Sequence, residues 1–418
     1  MSVSMAMRTP ASSSFRSRRS SFRVAAVGSL QSHVREAVTT TSSLSSYGMV
    51  NAALGQPVTR TPVWLFRQAG RHLPEYMQYK KDSGKNFLQL LDDPKDVAEM
   101  TMQPLRRYDI DAAILFSDIL VIAQAMGIDV TMPGGVGIQV PNPLSAPEDV
   151  LAMEKRGALK PDVSGRLSHV IESVGLIKQT IADENRGVPL IGFSAAPYTL
   201  LFYMVGGSSK KNTENGVRWL TEHPTESRVL LAALTDWVVE YCIAQIDAGA
   251  DMVQVFEAMG EHITPELLEA FAMPCCREIA ERIRAARPGV PLLCFARDAT
   301  YANVALQQAG YDVVTLDCAS ERRGTREALA ADAASRGVEP CSVQGNFDPR
   351  LLHRDDVGDG AASLEEIDEA VRQMLEDLGP ERLIANLGAG LGGKEDTAKV
   401  KQFVDSVHKH SADMIAAK

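Results

Sequence analysis

Short apolar runs recur along the chain from about residue 60 onward. Each run is followed by a polar or glycine-containing turn and then by a longer segment with the 3.6-residue periodicity of a helix. We interpret eight of these runs as strands, at residues 63–66, 112–116, 189–193, 252–256, 291–295, 313–316, 341–344 and 383–387. Strands that alternate with helices indicate a parallel sheet, and eight such units predict an α/β fold closed into a (β/α)8 TIM barrel.

The segments between the strands carry the helical pattern. The predicted helices cover residues 94–107, 166–183, 226–248, 264–286, 301–309, 325–336 and 363–378, and a last helix at 397–415 closes the chain. No repeat of 20 to 50 residues and no long Pro/Gly linker divides this part of the chain. We therefore predict one barrel domain over residues 56–418.

The first 35 residues differ in composition from the rest. They contain six arginines and many serines, and no Asp or Glu occurs before Glu36. This composition is typical of an organelle transit peptide, and the richness in serine and alanine favours the plastid stroma over the mitochondrion. We predict a disordered transit peptide over residues 1–35 and a linker over 36–55, with a merely disordered basic tail as the alternative.

Composition and charge exclude several classes of partner. The 418-residue chain is 45% hydrophobic and 23% charged, which suits a globular core. Its formal net charge of −10 argues against nucleic-acid binding, which needs clustered Lys and Arg. The most hydrophobic stretch, residues 229–244, is interrupted by Asp236 and Glu240, so no membrane span is predicted. Six cysteines without CxxC or zinc-finger spacing are interpreted as reduced, mostly buried thiols.

Polar or small residues follow each predicted strand. They are Arg67, Asp118, Ser194, Glu257, Arg297, Asp317, Asn346 and Gly388. The carboxyl ends of barrel strands converge on one mouth, where the active sites of this fold lie. We therefore expect the function to reside there, and any anionic ligand to be met by local arginines.

The segment TPVWLFRQAGRHLPEY, residues 61–76, contains the first such cluster. Arg67 and Arg71 lie four residues apart, with Gln68 between them, directly after the first predicted strand. Two guanidinium groups at this position can converge on carboxylates, for which the planar fork of arginine donors is suited. The alternative is a solvated helix face.

This segment resembles the signature of the uroporphyrinogen decarboxylase family. The resemblance continues through QPLRRYDIDAAILFSDIL at 103–120, PLIGFSAAPYTLLFYMVGG at 189–207, VQVFEAMGEH at 253–262, QGNFDP at 344–349 and IANLGAGL at 384–391. It spans essentially residues 56–412, with the motifs in the family's order.

The resemblance implies an enzyme that works without a bound cofactor or metal. Such an enzyme converts the four acetate side chains of uroporphyrinogen III to methyl groups, giving coproporphyrinogen III in porphyrin, heme and chlorophyll biosynthesis. It also implies a homodimer whose small-molecule partner is the tetrapyrrole substrate. By motif, Arg67, Gln68 and Arg71 match the family's carboxylate-handling residues. Asp118 matches the catalytic aspartate that faces the pyrrole NH groups, and Tyr203 a tyrosine near the reacting acetate.

Three of these residues keep a second interpretation. Asp118 could instead cap the helix that follows it, and Tyr203 lies in the apolar run 200–205 and could be a core aromatic side chain. The proton donor also stays open between Arg67 and Tyr203, because the high pKa of arginine makes it a poor general acid.

The chain departs from the family pattern at several positions. Ala195 stands where the family usually has glycine, Ala258 where it has a hydroxyl residue that binds a substrate carboxylate, and Ala389 where it has a substrate-binding histidine. Lys80 replaces a common arginine, and Cys318 a usual tryptophan. Losing a polar contact to a charged group commonly costs about 1.5 to 3 kcal/mol, so the substitutions at positions 258 and 389 bear on the rate.

Three functions follow as hypotheses. The first is an active decarboxylase, and the second is a catalytically weak or inactive relative that binds a porphyrinogen or another polycarboxylate. The third is a methyl-transfer enzyme on the same barrel, which would need zinc-binding His and Cys residues at the strand ends, and no HxC element is present in the sequence. The histidines at 72, 262, 408 and 410 are interpreted as solvated or satisfied.

Overall fold

Seven parallel strands form the centre of the protein. The computed structural model describes residues 45–133, 137–207, 213–357 and 360–418. Within them, the strands lie side by side in chain order. They are β1 (Ala113–Ile114), β2 (Leu190–Ala195), β3 (Met252–Glu257), β4 (Leu292–Ala296), β5 (Val313–Thr315), β6 (Ser342–Gln344) and β7 (Leu383–Ile384).

Helices surround this sheet. They are α1 (Gly48–Ala53), α2 (Pro74–Ser83), α3 (Phe87–Leu91), α4 (Pro94–Arg107), α5 (Val121–Ala125), α6 (Pro147–Lys155), α7 (Val163–Arg166), α8 (Ser168–Asp183), α9 (Pro197–Gly206), α10 (Thr213–Glu222), α11 (Pro224–Asp247), α12 (Pro265–Leu267), α13 (Met273–Ala286), α14 (Asn303–Gln308), α15 (Arg322–Arg336), α16 (Leu364–Leu378) and α17 (Thr397–Ala416). One π-helical turn, Leu268–Ala272, joins α12 to α13, so the predicted helix at 264–286 is essentially continuous.

The first predicted strand closes the sheet without forming a ladder of its own. The Val63 carbonyl accepts a hydrogen bond of 2.8 Å from the Asp111 N–H just before β1, and the Trp64 N–H donates to the Ala385 carbonyl just after β7 at 3.2 Å. Val63 and Ala385 form a parallel bridge. The segment thus joins both edges of the seven-stranded sheet, as the predicted TIM-type barrel requires.

The other seven predicted strands are confirmed, with shifted ends. The largest shifts are at β1 and β7, which keep two residues each, and at β2, which extends through Ala195. Ser194 therefore lies within a strand and is buried, although we predicted it just past the strand end.

The barrel interior is apolar at both ends and polar in the middle. Trp64 Nε1 donates to Gln344 Oε1 at 2.7 Å, and Gln344 Nε2 donates to Gln254 Oε1 at 3.1 Å and to Thr315 Oγ1 at 2.9 Å. All four side chains are buried, so each of these polar groups depends on its partner inside the barrel.

Helix α1 covers the amino-terminal end of this interior. Met49, Ala52 and Ala53 are buried in the same cluster as the inward-facing strand residues, and Ser342 Oγ at the start of β6 donates to the Ala52 carbonyl at 2.6 Å. The compact unit begins at Ser45, inside the segment that we predicted as a linker. The proposed transit peptide, residues 1–35, lies outside the described residues.

Helix α11 is the longest helix among the described residues. By length and composition it is apolar enough to cross a membrane, although 61% of its most apolar window is buried within the protein. It packs against β2, α9 and α13, as expected for the core helix of a barrel layer. The predicted segments did not include α1, α2, α3, α6, α7, α9 or α10. Nine of the ten residues of α9 are buried, so no polar face reveals its period.

Candidate active site

Arg67 lies at the mouth of the barrel, directly after residues 63–66, the segment that closes the sheet. The Asn386 side chain accepts a hydrogen bond of 3.0 Å from the Phe66 N–H, and the Leu391 N–H donates to the Phe66 carbonyl at 3.0 Å. Arg67 itself adopts φ 56°, a region that non-glycine residues rarely occupy. A β-carbon on Gly390 would lie 2.8 Å from Arg67 Cδ, so the loop after β7 forms one wall against this exposed arginine.

Arg71 contacts the same loop. Its Nη2 donates to the Gly392 carbonyl at 2.8 Å, and a β-carbon on Gly393 would lie 2.8 Å from Arg71 Cβ. Both predicted arginines thus lie along residues 390–393, with exposed side chains. The two side chains therefore lie against one loop, and their contact with a substrate carboxylate remains a prediction.

Gln68 has a structural position. It is 1% exposed, and its Nε2 donates to the Ala112 carbonyl at 3.2 Å while its Oε1 accepts from the Leu65 N–H at 3.3 Å. These bonds hold the Arg67 turn against the strand β1 segment. The structure therefore shows how Gln68 positions its neighbour, and its predicted role in handling a carboxylate stays a prediction.

Asp118 follows strand β1 and binds the turn before α5, while its catalytic role stays a prediction. Its Oδ1 accepts a hydrogen bond of 2.7 Å from the Leu120 N–H, so it caps the turn before α5. Its side chain is surrounded by protein yet partly accessible. Burial raises the pKa of Asp118 to about 6, opposed by the N–H groups of Leu120 and Ile119 and by the Arg67 guanidinium. The carboxylate is therefore still largely ionised at neutral pH.

Tyr203 is the one residue of α9 that is not buried. Burial raises the pKa of its phenol and the Asp118 charge raises it further, whereas the guanidinium groups of Arg297 and Arg67 lower it. Arg67, Asp118 and Tyr203 thus lie within electrostatic range of one another at the mouth of the barrel.

Aromatic side chains pack together beneath the mouth of the barrel. Phe66 packs at 5.2 Å from Phe295 and at 5.7 Å from Phe256, and Phe193 lies 5.7 Å from Phe256, all as distances between ring centroids. Each of these residues lies one or two positions from a strand end at the mouth. The floor of the mouth is therefore apolar.

The site also contains Glu257, which we had noted only as a strand end, and Thr199, which we had not noted. Glu257 at the end of β3 is 1% exposed, and its Oε1 accepts from the Thr199 hydroxyl at 2.7 Å and from the Met259 N–H at 2.9 Å. Burial raises the pKa of Glu257 to about 7, against the lowering effects of Thr199 and Arg297. A charged residue directly after an apolar run was the available signal, and Thr199 carried none because it lies in an apolar helix.

The alanine substitutions lie within this frame. Ala195 ends β2 and is 1% exposed. Ala258 is half-buried, and its carbonyl accepts a hydrogen bond of 2.9 Å from Arg297 Nη2. Ala389 is half-buried between two glycines, of which Gly390 contacts Arg67.

Nothing in the described part of the chain suggests a bound metal ion. No group of three or more His, Cys, Asp or Glu side chains in that part is arranged to hold one. The cysteines there form no disulfide, and four of the six are buried, as predicted.

His408 Nε2 lies 2.7 Å from Asp111 Oδ2 at the amino-terminal end of the barrel, away from the mouth. His72 was wrongly predicted to be solvated or satisfied, because it is buried and its Nε2 has no hydrogen-bond partner among the described residues.

Comparison with known proteins identifies the family. The family model described as uroporphyrinogen decarboxylase matches residues 45–410. The chain belongs to the uroporphyrinogen decarboxylase family. The uroporphyrinogen decarboxylase of Salinibacter ruber is 41% identical over 372 residues, covering 89% of this chain and 98% of that protein. The human protein of the same name is 40% identical over 367 residues, covering 87% of this chain and 93% of that protein.

Solved structures agree on the fold of this family member. A methyltransferase from Methanosarcina mazei superposes with a TM-score of 0.67 at 16% sequence identity, covering 86% of this chain and 97% of that one. At this identity the likeness concerns the barrel alone. The uroporphyrinogen decarboxylase signature, and not the fold, therefore carries the functional assignment.

Proposed function

We propose that this protein is a carboxy-lyase that decarboxylates the four acetate side chains of uroporphyrinogen III to give coproporphyrinogen III. The observation that carries the proposal is family membership over residues 45–410. Arg67 and Asp118, which follow the closing segment and β1 at the mouth of the barrel, and Tyr203 on α9 supply groups that suit this substrate. Cations at the rim suit acid side chains, and a buried anion suits the pyrrole NH groups.

The chemistry needs an electron sink and a fixed counter-charge. Protonation of the pyrrole α-carbon next to the carbon that carries the acetate makes the ring nitrogen cationic and leaves the acetate-bearing carbon conjugated with it. The electrons of the carbon–carbon bond then flow into the ring as carbon dioxide leaves, and a second proton delivered to the exocyclic carbon, as the ring proton departs, gives the methyl group. Each turnover thus consumes one acetate carboxylate and one proton.

Asp118 is the group that can stabilise the cationic ring. With Oδ1 held by the Leu120 N–H, the carboxylate keeps lone pairs free for pyrrole NH donors. Such a preoriented charge in a site that excludes water acts without reorganisation and is worth a few kcal/mol. The aromatic floor of Phe66, Phe256 and Phe295 offers an apolar surface to the macrocycle.

Arg67 and Tyr203 lie beside this anion and are the candidates for the proton donor. Burial and the Asp118 charge raise the pKa of Tyr203, which keeps its hydroxyl protonated at neutral pH. Arg67, in its unusual backbone conformation, reaches the rim, where it can hold the departing carboxylate. Backbone outliers of this kind concentrate at functional sites.

A second candidate function is favoured by the alanines at positions 195, 258 and 389. If the hydroxyl and imidazole contacts are needed, the protein binds a porphyrinogen or another polycarboxylate and turns it over slowly or not at all. Two lost contacts to charged groups, at roughly ten- to a hundredfold each, are enough to separate these outcomes.

The deciding experiment uses the purified chain. Uroporphyrinogen is supplied without oxygen, and the porphyrins are separated by carboxylate number after oxidation. Stepwise loss of four carboxylates supports the decarboxylase. If the wild-type chain converts nothing while Ala258→Ser combined with Ala389→His turns over, the binding function replaces our proposal.

We also propose import into the plastid and assembly into a homodimer. The six arginines and the absence of acids in residues 1–35 support a plastid address, and family resemblance supports the dimer. Residues 1–44 fused to a fluorescent protein should accumulate in plastids. Light scattering of the purified chain should give twice the monomer mass, and a monomer would refute the dimer.

A further inference from the structure

A second cation lies at the mouth of the barrel, at the carboxyl end of another strand. Arg297 directly follows β4, and its N–H donates to the Glu257 carbonyl at 2.9 Å. Its Nη2 donates to the Ala258 carbonyl at 2.9 Å, and its Nε donates to Asp298 Oδ2 at 3.0 Å. The guanidinium is thereby held between the ends of two neighbouring strands.

The backbone around Arg297 has little freedom. A β-carbon on Gly260 would lie 1.7 Å from the Arg297 carbonyl oxygen, so only glycine allows the two loops to approach this closely. Asp298 adopts φ 59°, and its N–H donates to Asp317 Oδ2 at 2.7 Å. A ligand group on such a rigid loop loses little conformational entropy on binding.

The guanidinium has capacity for a ligand. Its Nη1 makes no hydrogen bond in the part of the chain that the structure describes, and the side chain is 39% exposed. Its charge lowers the pKa of Tyr203 and of Glu257, so it lies within electrostatic range of both residues.

Two acidic residues lie near Arg297, and they leave part of its guanidinium group without a hydrogen-bond partner among the described residues. Asp298 binds only Nε. Glu257 directs one oxygen to the Thr199 hydroxyl, while its other oxygen, Oε2, is buried without a hydrogen-bond partner among the described residues. Since burial raises the pKa of Glu257 to about 7, this acid is only partly ionised at neutral pH. The Arg297 guanidinium is therefore not fully neutralised and can still attract a carboxylate group of a ligand.

The Arg297 guanidinium lies beside residue 258, where this chain lacks the hydroxyl group of the family pattern. Position 258 carries a hydroxyl residue in the family pattern and a methyl group here, and Arg297 is bonded to the carbonyl of that same residue. We propose that Arg297 is a specificity-determining residue that binds a carboxylate arm of the substrate in place of the missing hydroxyl at Ala258. This inference rests on the proposed function for the identity of the ligand.

The test uses the full chain and three arginine variants. Arg297→Gln removes the charge and Arg297→Lys keeps it without the planar fork. Arg372→Gln is the matched control, because Arg372 is exposed on α16 and pairs only with Glu369 and Glu376 of the same helix. The readouts are the dissociation constant for uroporphyrin, measured by its fluorescence, and the KM and kcat for uroporphyrinogen.

We expect Arg297→Gln to weaken uroporphyrin binding and raise KM roughly tenfold or more, with a much smaller change in kcat. Arg297→Lys should be intermediate, Arg372→Gln should match the wild type, and Ala258→Ser should recover part of the loss in Arg297→Gln. If Arg297→Gln does not fold by circular dichroism, weaker binding in Arg297→Lys and tighter binding in Ala258→Ser support the assignment, and their absence overturns it.

The assignment is overturned if Arg297→Gln binds uroporphyrin within twofold of Arg372→Gln, or if the wild-type chain does not bind uroporphyrin. A wild-type chain that binds but does not turn over refutes the decarboxylase proposal alone. In that case the binding titration still decides the role of Arg297.

Discussion

Replacing Asp118 by Asn should stabilise the fold while it removes activity. Asn keeps an oxygen that can accept the Leu120 N–H bond, so the turn before α5 is preserved. What is lost is a charge that the free protein buries at a cost. The pKa of Asp118 is raised from 3.8 to about 6, and each pKa unit corresponds to about 1.4 kcal/mol, so we expect about 2 to 3 kcal/mol of added stability above pH 7.

The pH dependence gives this expectation its sign. Below about pH 4, Asp118 is protonated in both the folded and the unfolded chain, and the substitution should have no electrostatic effect. Between pH 4 and 6 the unfolded chain ionises first, because the folded pKa is the higher one, so the wild type loses stability as pH rises. The gain in Asp118→Asn should therefore be about half complete at pH 5 and fully present at pH 8.

The assay is urea unfolding of both proteins at pH 5 and pH 8, together with kcat for uroporphyrinogen. We expect kcat to fall on the order of a hundredfold or more. Asp111→Asn is the control at the other end of the same strand, where the carboxylate accepts from Arg60, the Val63 N–H and His408, and it should lower stability. A variant Asp118→Asn that is no more stable than the wild type at pH 8, or whose gain is the same at both pH values, would refute the reasoning.

The remaining predictions concern the titration and the hydrogen bonds of the barrel. In the wild type, kcat/KM should fall as pH drops through about 6 because Asp118 becomes protonated, and a flat pH profile would contradict this. Thr199→Val removes the hydrogen bond to Glu257 and also the acceptor for the Ala258 N–H. The free energy of unfolding should therefore fall by about 2 to 4 kcal/mol. Thr199→Ser keeps the hydroxyl group and should stay near the wild type. Trp64→Phe leaves Gln344 Oε1 without its donor and should cost about 1 to 3 kcal/mol in urea unfolding; an unchanged midpoint would show that water replaces the indole.

Most of the barrel could be predicted because its signals are local. The apolar runs at β3, β4 and β6 are bounded by turn residues, and the amphipathic pattern of α4 begins at a proline and ends where predicted. The closing strand could not be predicted in form. Val63 accepts a backbone hydrogen bond from Asp111 at one edge of the sheet, and its neighbours Pro62 and Trp64 bond to Ala385 at the other. The pairing partners of Val63 thus lie 48 and 322 positions further along the chain.

The candidate site was predictable by residue and not by geometry. The signature around Arg67 and Asp118 is contiguous in sequence, and it was sufficient to indicate the family. That Gln68 is turned toward backbone groups, and that Arg297 binds the carbonyl of Ala258, depends on how separate loops meet at the mouth. Contacts between loops that are distant in sequence leave no local sequence pattern from which they could be predicted.

The sequence by itself determined the order of strands and helices, the cations and the anion at the strand ends, and the family. Both periodicity and motif are properties of neighbouring residues, so they survive in one dimension. Only the tertiary structure decided which of those polar groups are buried, which pair with one another and which remain free for a ligand. Burial raises the pKa of Asp118, and a hydrogen bond to the Ala258 carbonyl orients Arg297. Both effects arise from residues that are distant in the chain and close in space.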